Sequence, residues 1–226
     1  MIKASIDTVT VALAKAPAPM RIFIVESGGN ASQKAVLVFL HGKGEASGYP
    51  HAVSLVCNHA SPPFQALLGR LRDVIVVAPQ APNDPSTEWN WRDYVPDLCR
   101  YLAEHFPEQE ILATGFSRGG LGALQLIHHC PQRIKKWAIV DPQRAQDEEE
   151  ENNLLSSITS EASGWLRYGK GIPHNLPFAE KLATHLPRER VGLVDLGHCE
   201  LAVAAYQGEK LDADESVYEF LGLEYR

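Results

Sequence analysis

No stretch of these 226 residues approaches the ~18 consecutive apolar residues of a membrane-spanning helix. Positive charge is also short, with 21 Lys and Arg against 28 Asp and Glu for a net charge of -7. That balance excludes a polyanion-binding surface as the organising feature and leaves nucleic acid off the list of expected partners. Cysteine is scarce: Cys57, Cys99, Cys130 and Cys199 are widely spaced, with no CxxC pair. The spacing excludes a zinc ribbon or a disulfide framework and predicts four buried thiols in a reducing compartment. No cluster has metal-ligand spacing, so neither a metal nor an organic cofactor is expected. The first twenty residues carry no continuous apolar core of the kind a secretory leader uses, so a cytoplasmic location is expected.

What is present is the composition of an ordinary globular domain, 45% hydrophobic and 22% charged, in a chain long enough for one sizeable core. Strand-like and helix-like runs alternate. "DTVTVAL" (7–13) and "RIFIVES" (21–27) alternate apolar with polar residues and predict a hairpin at a sheet edge. "AVLVFL" (35–40) and "DVIVVAP" (73–79) are unbroken β-branched runs, as expected of strands buried on both faces. The segment between them is long enough for a crossover helix, although Pro62 and Pro63 interrupt it. Strands over 111–114, 137–141, 163–169 and 191–197 then alternate with helices over 95–106, 121–130 and 176–186, and a last helix lies near 215–223. A hairpin followed by about six βα units predicts a single α/β domain over 1–226. Its core would be a mostly parallel, doubly wound sheet of about eight strands with helices on both faces. The run Asp147-Glu148-Glu149-Glu150-Glu151 cannot enter a core, so 142–162 is expected to be a solvated, disordered or lid-like excursion.

Three short stretches carry chemistry. Gly115-Phe116-Ser117-Arg118-Gly119 fits G-x-S-x-G, between a buried strand and an apolar helix. In that setting the glycines let strand and helix approach while the serine hydroxyl is lifted clear as a nucleophile. "FLHGKGE" (39–45) also ends a buried strand. Its Gly42 and Gly44 suit a loop whose main-chain N–H groups, with that of Arg118, receive an oxyanion. His41 in such a loop reads as a structural hydrogen-bonder rather than a base. Gly197-His198 follows the last strand, where an imidazole can reach Ser117 as general base. Trp89 and Trp91, in "EWNWRDY", either line an acyl pocket or anchor their loop to the core.

Taken in order and spacing, "LHGKG", "TGFSRGG" and the late "GH" resemble small α/β-hydrolases of the carboxylesterase and predicted-peptidase or depolymerase type. The stretch "WNWRDYVPDLCRYLAEHFPEQEILATGFSRGG" carries the likeness furthest. The resemblance implies Ser117 as nucleophile, His198 as base, and the main chains of Lys43 and Arg118 as oxyanion donors. It also implies ester hydrolysis through an acyl-enzyme on a small-molecule substrate, by a monomer or homodimer. Peptidase or amidase chemistry on the same machinery is the near alternative.

One part of the pattern is missing. Those relatives usually carry the triad's acid in the segment that is "YGKGIPHNLPFAEKL" (168–182) here, and Lys170, Gly171 and Ile172 supply no carboxylate. Asp141, at the end of "WAIVD", is the expected substitute, with Asp195 inside the last strand, Glu200 just past the histidine and neutral Asn175 as poorer candidates. Without an acid, the chain would be a degenerate enzyme or a non-catalytic binding protein. Arg118 also departs from the usual uncharged residue. It is expected to pair internally with Glu45 or Asp141, or to receive a substrate anion.

Overall fold

The protein is represented by a computed structural model that describes residues 1–11, 19–29, 34–49, 55–58, 60–84, 86, 88–158, 163–211 and 214–226. In chain order the elements are β1 (Ile2–Val9), β2 (Met20–Ser27), β3 (Ala35–Leu40), α1 (Pro62–Leu67), β4 (Leu71–Arg72), β5 (Val74–Gln80), α2 (Val95–His105), β6 (Ile111–Phe116) and α3 (Arg118–His129). They continue with β7 (Ile134–Val140), α4 (Glu148–Ser156), β8 (Ser163–Gly169), α5 (Leu176–Ala183), β9 (Val191–Val194), α6 (His198–Tyr206), α7 (Val217–Leu221) and β10 (Glu224–Tyr225). Eight strands form one sheet in the order β1-β2-β5-β3-β6-β7-β8-β9. β1 and β2 pair antiparallel at one edge, β2 meets β5 antiparallel, and every pairing from β5 to β9 is parallel. This is the mostly parallel, doubly wound sheet that the alternating pattern predicts.

The unbroken apolar runs divide between two cores. Val36, Val38, Leu40, Ile75 and Val77 face the cluster that receives α2, α3, α4 and α5 through Leu98, Leu124, Leu154 and Phe178. Their alternates Leu37, Phe39, Val74 and Val76 face α1, α6 and α7 through Ala66, Leu201 and Tyr218. Burial on both faces is the reason these strands carry no polar alternation.

Several boundaries differ from the sequence reading. The first strand lies over Ile2–Val9 rather than 7–13, and 12–18 fall outside the described residues. Pro62 and Pro63 begin α1 instead of breaking it, since the first helical positions need no N–H partner. Asp195 lies past the end of β9, not within it. The acidic run is the first turn of α4, with the Asp147 carboxylate accepting from Glu150 N at 2.8 Å and Leu154 and Leu155 buried. Four glutamates are favourable there because the unpaired N–H groups of a helix start attract negative charge; 159–162 lie outside the described residues. Two of the four expected thiols are not free. Cys99 within α2 and Cys130 at the end of α3 form a disulfide, with Cα atoms 6.4 Å apart, because the two helices pack against each other.

Glycines set how closely strand and helix meet at the turn after β6. A Cβ on Gly119 would lie 1.8 Å from the carbonyl oxygen of Leu40, and one on Gly115 would lie 2.1 Å from that of Gly119. Both contacts are with backbone, so no side-chain rotation relieves them. Gly119→Ala is therefore expected to destabilise the fold by about 3 kcal/mol or more. Gly44→Ala, with nothing within 4 Å of the added carbon, should shift stability by no more than ~0.5 kcal/mol. Urea midpoints of the two variants check the contrast.

Candidate active site

The parallel register brings four strand ends to one level: Leu40 pairs with Gly115, Phe116 with Val140, and Val140 with Arg167. The residues just beyond these ends share the carboxyl edge of the sheet, where α/β folds place their ligands. Ser117 stands between β6 and α3 at φ 57° and ψ -120°, a conformation that costs a side-chain-bearing residue of order 1–3 kcal/mol. Main-chain bonds hold it there. Ser117 N donates to Val140 O at 3.1 Å, and Ser117 O accepts from Gln143 N at 2.8 Å and Gly120 N at 3.0 Å. Gln143 was invisible as a contributor in the sequence, because its partner is a main-chain carbonyl.

Asp141, one residue beyond β7, is also held at positive φ, 44°, with its N–H donating to Arg167 O at 2.7 Å. Its buried carboxylate accepts from Gly169 N at 3.1 Å and meets His198 Nδ1 at 2.5 Å. His198 is the first residue of α6, and the Phe116 ring packs on its imidazole with centroids 4.3 Å apart. The base candidate thus sits at the mouth with its side chain 18% exposed, while the acid candidate beneath it is 3% exposed. Among the described residues Ser117 Oγ makes no hydrogen bond, and in structures without substrate the bonds of a reacting hydroxyl are often long or unformed.

Of the other acid candidates, Asp195 is exposed just past β9, and Glu200 and Asn175 are engaged elsewhere. Glu200 closes back on Gly197 N at 3.1 Å and caps α6, and Asn175 accepts from Arg144 N at 3.3 Å. The segment that lacks a carboxylate runs directly beneath the histidine. A Cβ on Gly171 would lie 2.8 Å from His198 N, which is a steric reason for a glycine there.

Arg118 and Lys43 begin their helices, α3 and a short 3-10 turn at Lys43–Glu45, so their N–H groups have no intrahelical acceptor. The two turns touch through Gly42, where an added Cβ would lie 3.6 Å from the Ser117 Cβ. His41 anchors this loop. Its Nε2 accepts from Ala81 N at 3.0 Å, which places the ring proton on Nδ1, 2.6 Å from Gly42 O. With both nitrogens occupied it cannot act as a base. Trp91 is fully buried, donates from Nε1 to His41 O at 3.2 Å, and packs edge-on to Trp89. Both tryptophans wedge the loop against the core, and a Cβ on Gly122 would strike Trp91 at 2.4 Å.

The Arg118 side chain turns away from the turn it starts. It donates to Gln143 Oε1 at 3.0 Å, to Trp89 O at 2.9 Å and to Glu88 Oε2 at 3.1 Å, with the guanidinium 5.0 Å over the Trp89 ring. Its ion-pair partner is therefore Glu88, not Glu45 or Asp141. The same Glu88 takes Lys43 Nζ at 3.0 Å, and the two cations, Lys43 foremost, hold its carboxyl below the usual range. Glu88 thus ties the loop after β3 to the turn after β6 through an exposed carboxylate. Its position on a loop thirty residues from Arg118 left no local signal.

Sheet order, helix layers and the turn at Ser117 together define the α/β-hydrolase fold. Solved structures agree. A thermostable esterase superposes with TM-score 0.62 at 17% identity, covering 90% of this chain and 60% of its own. A ferulic acid esterase gives 0.61 at 16%, covering 91% and 96%, and a peroxisomal α/β-hydrolase from Saccharomyces cerevisiae gives 0.58 at 14%, covering 91% and 87%. By sequence alone, no family model and no curated protein matches the chain. At these identities the likeness is one of fold. Among the described residues no three His, Cys, Asp or Glu side chains gather as metal ligands, and no helix is long and apolar enough to cross a membrane.

Burial disfavours the charged form of His41 and lowers its pKa below the ordinary 6.5. Below that pH the unfolded chain binds a proton that the folded chain refuses, so stability falls as pH drops from about 6.5. In His41→Gln this part of the acid decline should vanish, which urea midpoints between pH 7.5 and 5 will show.

Proposed function

We propose that the protein is a serine hydrolase acting on carboxylic esters. Ser117 Oγ attacks the ester carbonyl while His198 Nε2 takes its proton. The tetrahedral oxyanion is received by the main-chain N–H groups of Lys43 and Arg118. Collapse breaks the bond to the alcohol oxygen, which takes the proton from His198, and leaves an acyl-serine. Water then attacks this ester with His198 again as base, releasing the acid and restoring Ser117. Asp141 holds the imidazole in the tautomer with Nδ1 protonated and stabilises the imidazolium.

The observation that carries this reading is the His198 Nδ1–Asp141 Oδ2 contact at 2.5 Å, beneath a serine held at positive φ on the next strand end. An acid candidate in contact with the histidine supports an enzyme over a binding protein that has lost its acid. The esterase descriptions of two similar structures support esters as the substrate class. Amide hydrolysis by the same groups has no observation favouring it.

Short-chain 4-nitrophenyl esters test the proposal. Wild type should turn them over with an initial burst of nitrophenol no larger than one per chain. Ser117→Ala should lose both burst and turnover. Asp141→Asn should lose roughly a thousandfold or more in kcat, because the asparagine favours the wrong tautomer. Turnover unchanged in Ser117→Ala would overturn the assignment.

A further inference from the structure

Beside the proposed nucleophile lies a pocket of about 240 Å³, on the side of the sheet that carries α6. It is smaller than the ~300 Å³ or more that a drug-sized ligand occupies. Phe39, Phe116, Val203 and Tyr206 form apolar walls, and Cys199, next to His198, stands at one side. Three polar side chains, Asn58, Glu45 and Ser61, break this lining. Glu45 brings a carboxylate whose side chain is only 20% exposed, and Ser61 brings a buried hydroxyl. Ser61 holds the N-cap position of α1 without a side-chain cap bond, and among the described residues its Oγ has no hydrogen-bond partner.

Among the described residues the charge on Glu45 finds few partners. Oε1 receives one hydrogen bond, from Asn58 Nδ2 at 3.3 Å, and Oε2 lies 3.9 Å from His41, whose buried ring is neutral. Among the described residues no Lys or Arg lies within ion-pair distance of it. The carboxylate is also beside the reaction centre, since a Cβ on Gly42 would lie 3.3 Å from Glu45 Oε2 and 3.6 Å from Ser117 Cβ. A largely buried anion with no cation among the described residues, sharing a pocket with aromatic faces and a hydroxyl that has no partner among them, is the complement of an organic ammonium ion.

We infer that this pocket binds an alkyl- or arylammonium group, so that the preferred ester, resting on the serine-hydrolase reading above, carries a protonated amine on one of its arms. The ammonium donates to Glu45 and Ser61 while its hydrocarbon stem lies between the Phe39 and Phe116 rings. The tip of Tyr206 is already bonded to Thr114 at 3.0 Å, so it offers only its ring.

The test reads binding without catalysis. Cys199 is exposed and lines the pocket, whereas burial pushes the Cys57 thiol up to about 11 and slows its alkylation. Iodoacetamide labelling of Cys199, located by peptide mass, is followed with increasing benzylammonium or its neutral counterpart benzyl alcohol. Benzylammonium is expected to protect Cys199 at about tenfold lower concentration, and Glu45→Gln to bring the two probes within about twofold. Equal protection by both probes in wild type overturns the inference and needs no variant to fold. An undiminished preference in Glu45→Gln overturns it as well. Ester turnover is scored separately. Loss of turnover with ammonium protection intact sinks the serine reading alone, and turnover without any ammonium preference sinks this one alone.

Discussion

One hydrogen bond, from Ser117 N to Val140 O, is the contact on which the site depends. It carries the pairing of β6 and β7 one residue past the last strand position and keeps Ser117 in a conformation that serine does not adopt unaided. The residue after Val140 is Asp141, likewise held past its strand by a main-chain bond to Arg167. Two adjacent strand ends thus present a hydroxyl and a carboxylate one strand spacing apart. The histidine enters from a third direction, at the start of α6, and closes on the carboxylate.

This geometry is possible only because the backbones around it pack without side chains between them. Gly119 lies against the Leu40 carbonyl and Gly115 against α3, so β3, β6 and α3 converge on one point. That convergence brings the first N–H groups of two helices to the same end of the sheet. Strain at Ser117 is held by a well-packed surround: Trp91 fills the space over Gly122, and His41 uses both ring nitrogens to fix the loop after β3. Rigidity of this kind is what the proposed oxyanion site would require.

Much of this was legible in the residues, and the reasons differ from case to case. The buried strands announce themselves because burial on both faces demands unbroken apolar runs. Ser117, with its glycines, is legible because close backbone approach leaves a mark in composition. Asp141 could be named from its place at a strand end, and its contact with His198 is a tertiary fact that no local pattern encodes. Arg118 was visibly unusual, but its partner Glu88 comes from a distant loop. The disulfide between Cys99 and Cys130 depends on the packing of α2 against α3 and has no spacing signature. The acidic run, by contrast, carried a readable signal that charge obscured: Asp147, then Glu150 three residues on and two leucines beyond, is the start of a capped helix.

The most direct measurement is intact mass after brief exposure to a fluorophosphonate, for wild type, Ser117→Ala and Asp141→Asn, each shown to be folded. A serine activated by His198 and Asp141 predicts one phosphonyl adduct per wild-type chain, none on Ser117→Ala, and labelling slowed by orders of magnitude in Asp141→Asn. A folded wild type that stays unlabelled, or an adduct that persists in Ser117→Ala, would contradict Ser117 as the nucleophile.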